Sequence, residues 1–89
     1  MNRHFRIRII GDVQGVFYRH SAAIQAKRLG LSGVARNEPG GTVLIEVEGG
    51  EDALVEFAKW CSRGPATSTV RRIETDEMPL QGLTGFTIE

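Results

Sequence analysis

Across Gly11-Asp12-Val13-Gln14-Gly15-Val16-Phe17-Tyr18-Arg19 the apolar period of the chain changes from that of a strand to that of a helix. Before this stretch, Phe5, Ile7 and Ile9 alternate with Arg6 and Arg8, the pattern of a strand with one buried face. After it, Tyr18, Ala22, Ala26 and Leu29 recur at i, i+4, i+8 and i+11 as one helical stripe. So short a turn needs backbone angles that glycine supplies, and Gly11 and Gly15 stand four residues apart inside it. Amides between the two glycines can converge as an anion nest, and Arg19 falls where the helix opens with unpaired N–H groups and a positive dipole end. These features describe a cup for a doubly charged oxyanion such as a phosphoryl group. They also describe a plain strand-to-helix turn with a surface arginine. Spacing alone favours the plainer reading, because glycine pairs are common punctuation.

The rest of the chain bounds the surroundings of this stretch. Its 89 residues suit one small domain over 1–89, and 40% apolar with 25% charged residues is ordinary for a globular protein. Eleven basic residues balance eleven acidic ones, so any anion must be bound by local arrangement and not by bulk charge. The single cysteine, Cys61, allows no internal disulfide and fits a reducing compartment. Met1 to His4 lead straight into the strand pattern with no apolar signal core or membrane-spanning run, so the expectation is an unprocessed, cytoplasmic, monomeric protein.

In chain order, the first strand covers Phe5 to Ile9. The first helix closes on Lys27, Arg28 and Gly30, which supply charge and a left-handed cap, while Ile24 lies off the stripe. Ser32 to Asn37 form a second strand. Glu38-Pro39-Gly40-Gly41 is turn chemistry before a third, in which Val43, Ile45 and Val47 face the core and Leu44, Glu46 and Glu48 face outward. Glu51 and Asp52 open a second helix with the stripe Leu54, Phe57, Ala58 and Cys61, ended by Arg63-Gly64-Pro65. A fourth strand runs from about Thr69 to Thr75, where the spacing of Val70 and Ile73 implies a bulge. Met78 to Thr84 read as a loop and Phe86 to Ile88 as a short closing strand. The order βαββαβ plus that strand specifies a ferredoxin-like split βαβ fold of class α+β, an antiparallel sheet with two helices on one face. This plan by itself assigns no function.

The chemistry within reach is sparse. His4, His20 and Cys61 show no metal-ligand spacing, so no metal or other cofactor is expected. Cys61, on an apolar stripe, is a buried small hydrophobe, and His20 is a helix-start surface residue with at most a minor substrate contact. No catalytic triad or carboxylate pair stands out. A site so bare suits a reaction whose leaving group needs no protonation, such as the carboxylate of an acyl phosphate, with a conjugate-acid pKa of roughly 4. Phosphoryl transfer then needs little more than loop amides, one guanidinium and one water-orienting amide. Asn37 is the candidate amide, although an asparagine before a turn commonly bonds only local backbone.

Beyond these features, the sequence resembles the acylphosphatase family. Gly11, Val13, Gln14, Gly15, Val16, Tyr18 and Arg19 match its first motif, Gly-x-Val-Gln-Gly-Val-x-aromatic-Arg. Gly33, Asn37, Gly41, Val43 and Gly49 match the second, and Gly64-Pro65 and Phe86-x-Ile88 also fit. The resemblance implies metal-independent hydrolysis of small acyl phosphates. It further implies phosphate binding by Arg19 and the amides of Val13, Gln14, Gly15, Val16, Phe17 and Tyr18, with water oriented by Asn37. Two departures accompany it: Val34 stands where the family carries an aromatic residue, which could alter packing beside the site or the acyl pocket. Glu89 ends the chain a residue or two early, leaving open the family contact from the terminal carboxylate to the arginine.

Two other functions compete. Acylphosphatase-like domains also open the large hydrogenase-maturation carbamoyl-transfer proteins, so a non-catalytic phosphate- or carbamoyl-phosphate-binding module is the alternative. RNA binding is a weaker one, because the outward positions Leu44, Glu46 and Glu48 make a poor stacking platform. No nucleic-acid or membrane partner is expected.

Overall fold

A computed structural model describes residues 1–89. Its elements are β1 (Asn2–Asp12), α1 (Tyr18–Arg28), β2 (Ser32–Asn37), β3 (Val43–Gly50), α2 (Glu51–Arg63), β4 (Thr69–Met78) and β5 (Phe86–Ile88). The sheet order is β4-β1-β3-β2-β5, with β1 antiparallel to both β3 and β4 and β2 antiparallel to β3. This is the ferredoxin-like plan with one strand added.

The expected boundaries of both helices, β2 and β5 agree with the structure, whereas β1 and β4 are longer than their apolar alternation suggests. The two strands pair from His4↔Met78 to Asp12↔Thr69, so main-chain hydrogen bonding carries them through polar residues that bury little. Met78 is therefore strand and not loop. The register passes from Ile10↔Arg72 to Gly11↔Val70 and leaves Arg71 as the extra residue of a bulge, between the two positions whose spacing implied one. The sheet departs from the wholly antiparallel expectation at one edge, where β5 runs parallel to β2. β4 and β5 occupy opposite edges, so the segment joining them crosses the sheet before β5 pairs.

Both helices pack on one face. Ile7, Ile9, Val43, Ile45 and Val47 meet Tyr18, Ala22 and Ala26 of α1 and Leu54, Phe57 and Cys61 of α2. The alanines of α1 let its backbone approach the strands closely, and Ala23 widens the buried stripe. Ile24, off the stripe, lies in solvent. Burial pushes the Cys61 thiol up to about 12, against a smaller opposing effect of Tyr18, and leaves it a packed apolar group.

The opposite face corrects a sequence expectation. Leu44, Glu46 and Glu48 do point away from the helices, yet all three are buried. Cross-strand ion pairs and the β4–β5 segment close over them. His4 Nδ1 bonds Glu48 Oε2 at 2.8 Å and its Nε2 bonds Glu46 Oε1 at 2.6 Å. Arg6 Nε donates to Glu46 Oε2 at 2.8 Å, and the Gln81 and Leu83 main-chain N–H groups donate to Glu48 at 2.6 and 2.9 Å.

Candidate active site

The turn from β1 to α1 is built on two left-handed residues, Gly15 at φ 74° and Phe17 at φ 64°. Glycine takes this conformation freely, while phenylalanine does so at a cost. The two bend the backbone sharply on either side of Val16, a path that turns successive N–H groups toward one side. Phe17 caps α1, whose first main-chain bond runs from Ser21 N to Phe17 O at 3.0 Å. The N–H groups of Tyr18, Arg19 and His20 therefore precede the first intrahelical donor, at the positive end of the helix dipole.

Val13, Gly15, Phe17, Tyr18, Arg19, His20 and Ile88 surround a cavity of about 310 Å³. Val13 and Tyr18 are buried, so they offer a ligand main chain more than side chain. The Tyr18 hydroxyl is already committed, donating to the Cys61 carbonyl at 2.6 Å, and burial raises its pKa. Arg19 Nη1 donates to the main-chain oxygen of Glu89. Glu89 N in turn donates to Ala35 O at 2.9 Å, continuing the β2–β5 pairing. Glu89 thus reaches the arginine through its main chain. One contact leaves the guanidinium with further N–H donors for an anion.

Gln14 and Val16 do not line the cavity. The Gln14 side chain donates both amide hydrogens across the molecule, to Glu38 O and Thr42 O at 2.8 Å each. The Val16 carbonyl accepts the Thr67 hydroxyl at 2.7 Å. These contacts anchor the loop from two sides.

Asn37 closes β2, opposite Val43, with its side chain exposed. It lies outside the residues lining the cavity and makes no side-chain hydrogen bond within the chain, so the local backbone bond typical of such a position is not formed. Strand alternation puts it on the same face as Ala35, the residue that accepts from Glu89. The turn after Asn37 is the one held by Gln14. It is also closed by Glu38, which accepts from Arg8 Nε and Thr42 Oγ1 at 2.9 Å each; the Arg8 bond chiefly holds the Glu38 carboxyl below its ordinary range. The turn after Asn37 and the loop between β1 and α1 are therefore joined by side-chain bonds. Val34 pairs with Glu46 and Thr87 and does not border the cavity.

Two lining residues escaped the sequence-based site. In the sequence His20 reads as at most a minor contact, and Ile88, though part of the closing Phe86-x-Ile88 pattern, gives no sign of lining a site, because only the sheet order brings β5 beside the α1 N-terminus. The tie made by Gln14 was equally hidden, since a motif glutamine looks like one more loop residue.

The acylphosphatase family model matches residues 5–88. An acylphosphatase from Synechococcus sp. (strain CC9311) is 42% identical over 88 residues, which are 99% of this chain and 98% of the relative. The crystal structure of acylphosphatase from Bacillus subtilis superposes with a TM-score of 0.95 at 34% identity, covering 100% of this chain and 99% of that one. A full-length HypF structure in a phosphate- and nucleotide-bound form also superposes, at a TM-score of 0.93 and 29% identity, but this chain covers 12% of it. The relatives that match end to end carry the acylphosphatase name, which favours the hydrolase over the module. With a family match from Phe5 to Ile88 and relatives of equal span, the chain belongs to the acylphosphatase family.

Proposed function

We propose that Arg19 and the main-chain amides of Val13 to Tyr18 hold the phosphoryl group of a small acyl phosphate while Asn37 orients the attacking water. The protein is an acylphosphatase, and the proposal concerns which atoms do the work. Water oxygen attacks phosphorus and the bond from phosphorus to the acyl oxygen breaks. The carboxylate departs with the bonding electrons, and the proton released by water passes to solvent or phosphate. With a leaving-group pKa of roughly 4, no general acid is required. The protein then contributes position and charge, which suits loop amides and one guanidinium.

The observation that supports this best is the shared cavity of Gly15, Arg19 and the α1 N-terminus, with Gln14 joining that loop to the turn after Asn37. The reading extends to a single-domain, monomeric, cytoplasmic enzyme that needs no cofactor and does not bind nucleic acid. Balanced charge and a β3 face closed by ion pairs support the last point.

Purified protein is expected to release phosphate from acetyl phosphate in the presence of chelator. Arg19→Ala and Asn37→Ala, each folded by circular dichroism, are expected to lower kcat/KM by a factor of about 100 to 1,000, the usual loss on removing one stabilising donor. Normal turnover by both variants defeats the assignment.

A further inference from the structure

An amide that aims water at a phosphoryl group must be held relative to the loop that carries the phosphate, and not only within its own strand. Main-chain pairing does not provide this, because β3 lies between β1 and β2 in the sheet. Ile9 and Asn37 both stand opposite Val43, so the loop after β1 and the turn after β2 leave the sheet at the same end. Across that gap the Gln14 side-chain amide donates to Glu38 O and Thr42 O. Those two carbonyls also close the turn itself, accepting from Gly41 N at 3.3 Å and from Glu38 N at 2.8 Å. A carboxamide nitrogen carries two hydrogens, and here each has its own acceptor. Arg8 reaches the same turn, but through the Glu38 carboxylate in a partly exposed ion pair, a kind that fixes little. Gln14 grips the main chain next to Asn37.

We propose that the Gln14 side chain is a positioning residue for the hydrolysis: it sets how far Asn37 stands from the phosphate held by the loop, and so where the attacking water is placed. The inference rests on the water-orienting reading of Asn37 above and names what holds that residue in place. The Asn37 side chain is exposed, so its carboxamide goes where its main chain goes. Gly40 and Gly41, at φ 96° and 99°, have open space where a Cβ would stand, so no packing steadies the turn from that side. The two bonds from Gln14 therefore carry the alignment. A misplacement of about 1 Å near reacting atoms costs up to about a hundredfold in rate, so a tie of this kind is felt in turnover.

The test compares Gln14→Met, which keeps side-chain length and removes both donors, with Gln14→Glu, which keeps the shape and at neutral pH can only accept. Each is expected to lower kcat for acetyl phosphate about tenfold, less than loss of Asn37 itself, while the inhibition constant of inorganic phosphate stays within about twofold of wild type. A Gln14 that merely steadied the loop would instead weaken phosphate binding and leave kcat little changed. In an Asn37→Ala background, Gln14→Met is expected to lower kcat by less than about twofold, because the residue it positions is gone. Should either Gln14 variant fail to fold by circular dichroism, the other decides. Full kcat in the folded Gln14 variants, weakened phosphate inhibition with kcat unchanged, or a loss that persists undiminished in the Asn37→Ala background overturns the positioning role and leaves the activity standing. Normal turnover by Asn37→Ala overturns it together with the water-orienting reading.

Discussion

Gly11 and Gly15 carry the same residue type for different physical reasons. Gly11, at φ 151°, lies against β4 so closely that a Cβ would stand 2.1 Å from the Thr69 carbonyl oxygen. Gly15, at φ 74°, has nothing within 4 Å of that position, so its demand is conformational alone. Gly15→Ala should therefore cost ~1–2 kcal/mol of stability, the usual left-handed penalty. Gly11→Ala should cost ~3 kcal/mol or more, because backbone must move as well. Urea unfolding of the two variants checks the ranking, and equal midpoints would refute it. That these glycines bound a turn was legible from the change of period around them. Which one touches a neighbouring strand was not, because Thr69 approaches Gly11 only through the pairing of β1 with β4.

At the scale of the element, β3 is buried on both faces, and its outward acids depend on partners from elsewhere. The Glu48 carboxyl is held below its usual value of 4.5, first by the Gln81 N–H, against burial, with further help from His4 and the Leu83 N–H. Burial pushes Glu46 up, but its bonds to His4 and Arg6 outweigh that and hold it low. A carboxyl whose pKa is lower in the folded than in the unfolded chain adds stability that is complete above the unfolded value. That stability is lost as pH falls through the folded value. Stability should thus decline from just above pH 4.5 downward. Glu48→Gln should lower stability at pH 7 and make that acid decline shallower. Urea midpoints from pH 7 to pH 3 test this, and an identical acid slope in the variant would sink it. Alternation in β3 announced which residues face away from the helices. It could not announce that His4 stands opposite Glu48, which is a matter of register.

At the scale of the whole molecule, β5 is a three-residue edge strand with two duties. Phe86 anchors it in the core, buried and in an edge-on contact with Phe57 at 6.4 Å between ring centres. Its other end supplies Ile88 to the cavity and leads into Glu89, whose main-chain oxygen accepts from Arg19. Phe86→Ala should cost ~3–5 kcal/mol, a large share of the ~5–15 kcal/mol typical of a domain. In the fraction that remains folded, KM for acetyl phosphate should rise as the hold on Arg19 loosens. Calorimetry and steady-state kinetics at low temperature read the two effects separately. A destabilised variant with unchanged KM would show that β5 serves the core alone.

The sequence by itself determined the local facts. Periods of two and of about 3.6, with the turn residues between them, located the seven elements but not the full length of β1 and β4, and the broken spacing of Val70 and Ile73 placed the bulge. The motif around Gly11 to Arg19 carried the family. Such patterns report which face of a segment is buried, and that is a property of neighbouring residues. The tertiary structure decided what meets across the chain. It brought Glu89 to Arg19 over a separation of 70 residues and tied Gln14 to a turn 24 residues away. It also set His4 between Glu46 and Glu48 and ran β5 parallel to β2. Those contacts follow from strand order and register, which arise only when the whole sheet closes on its helices, so no local period encodes them.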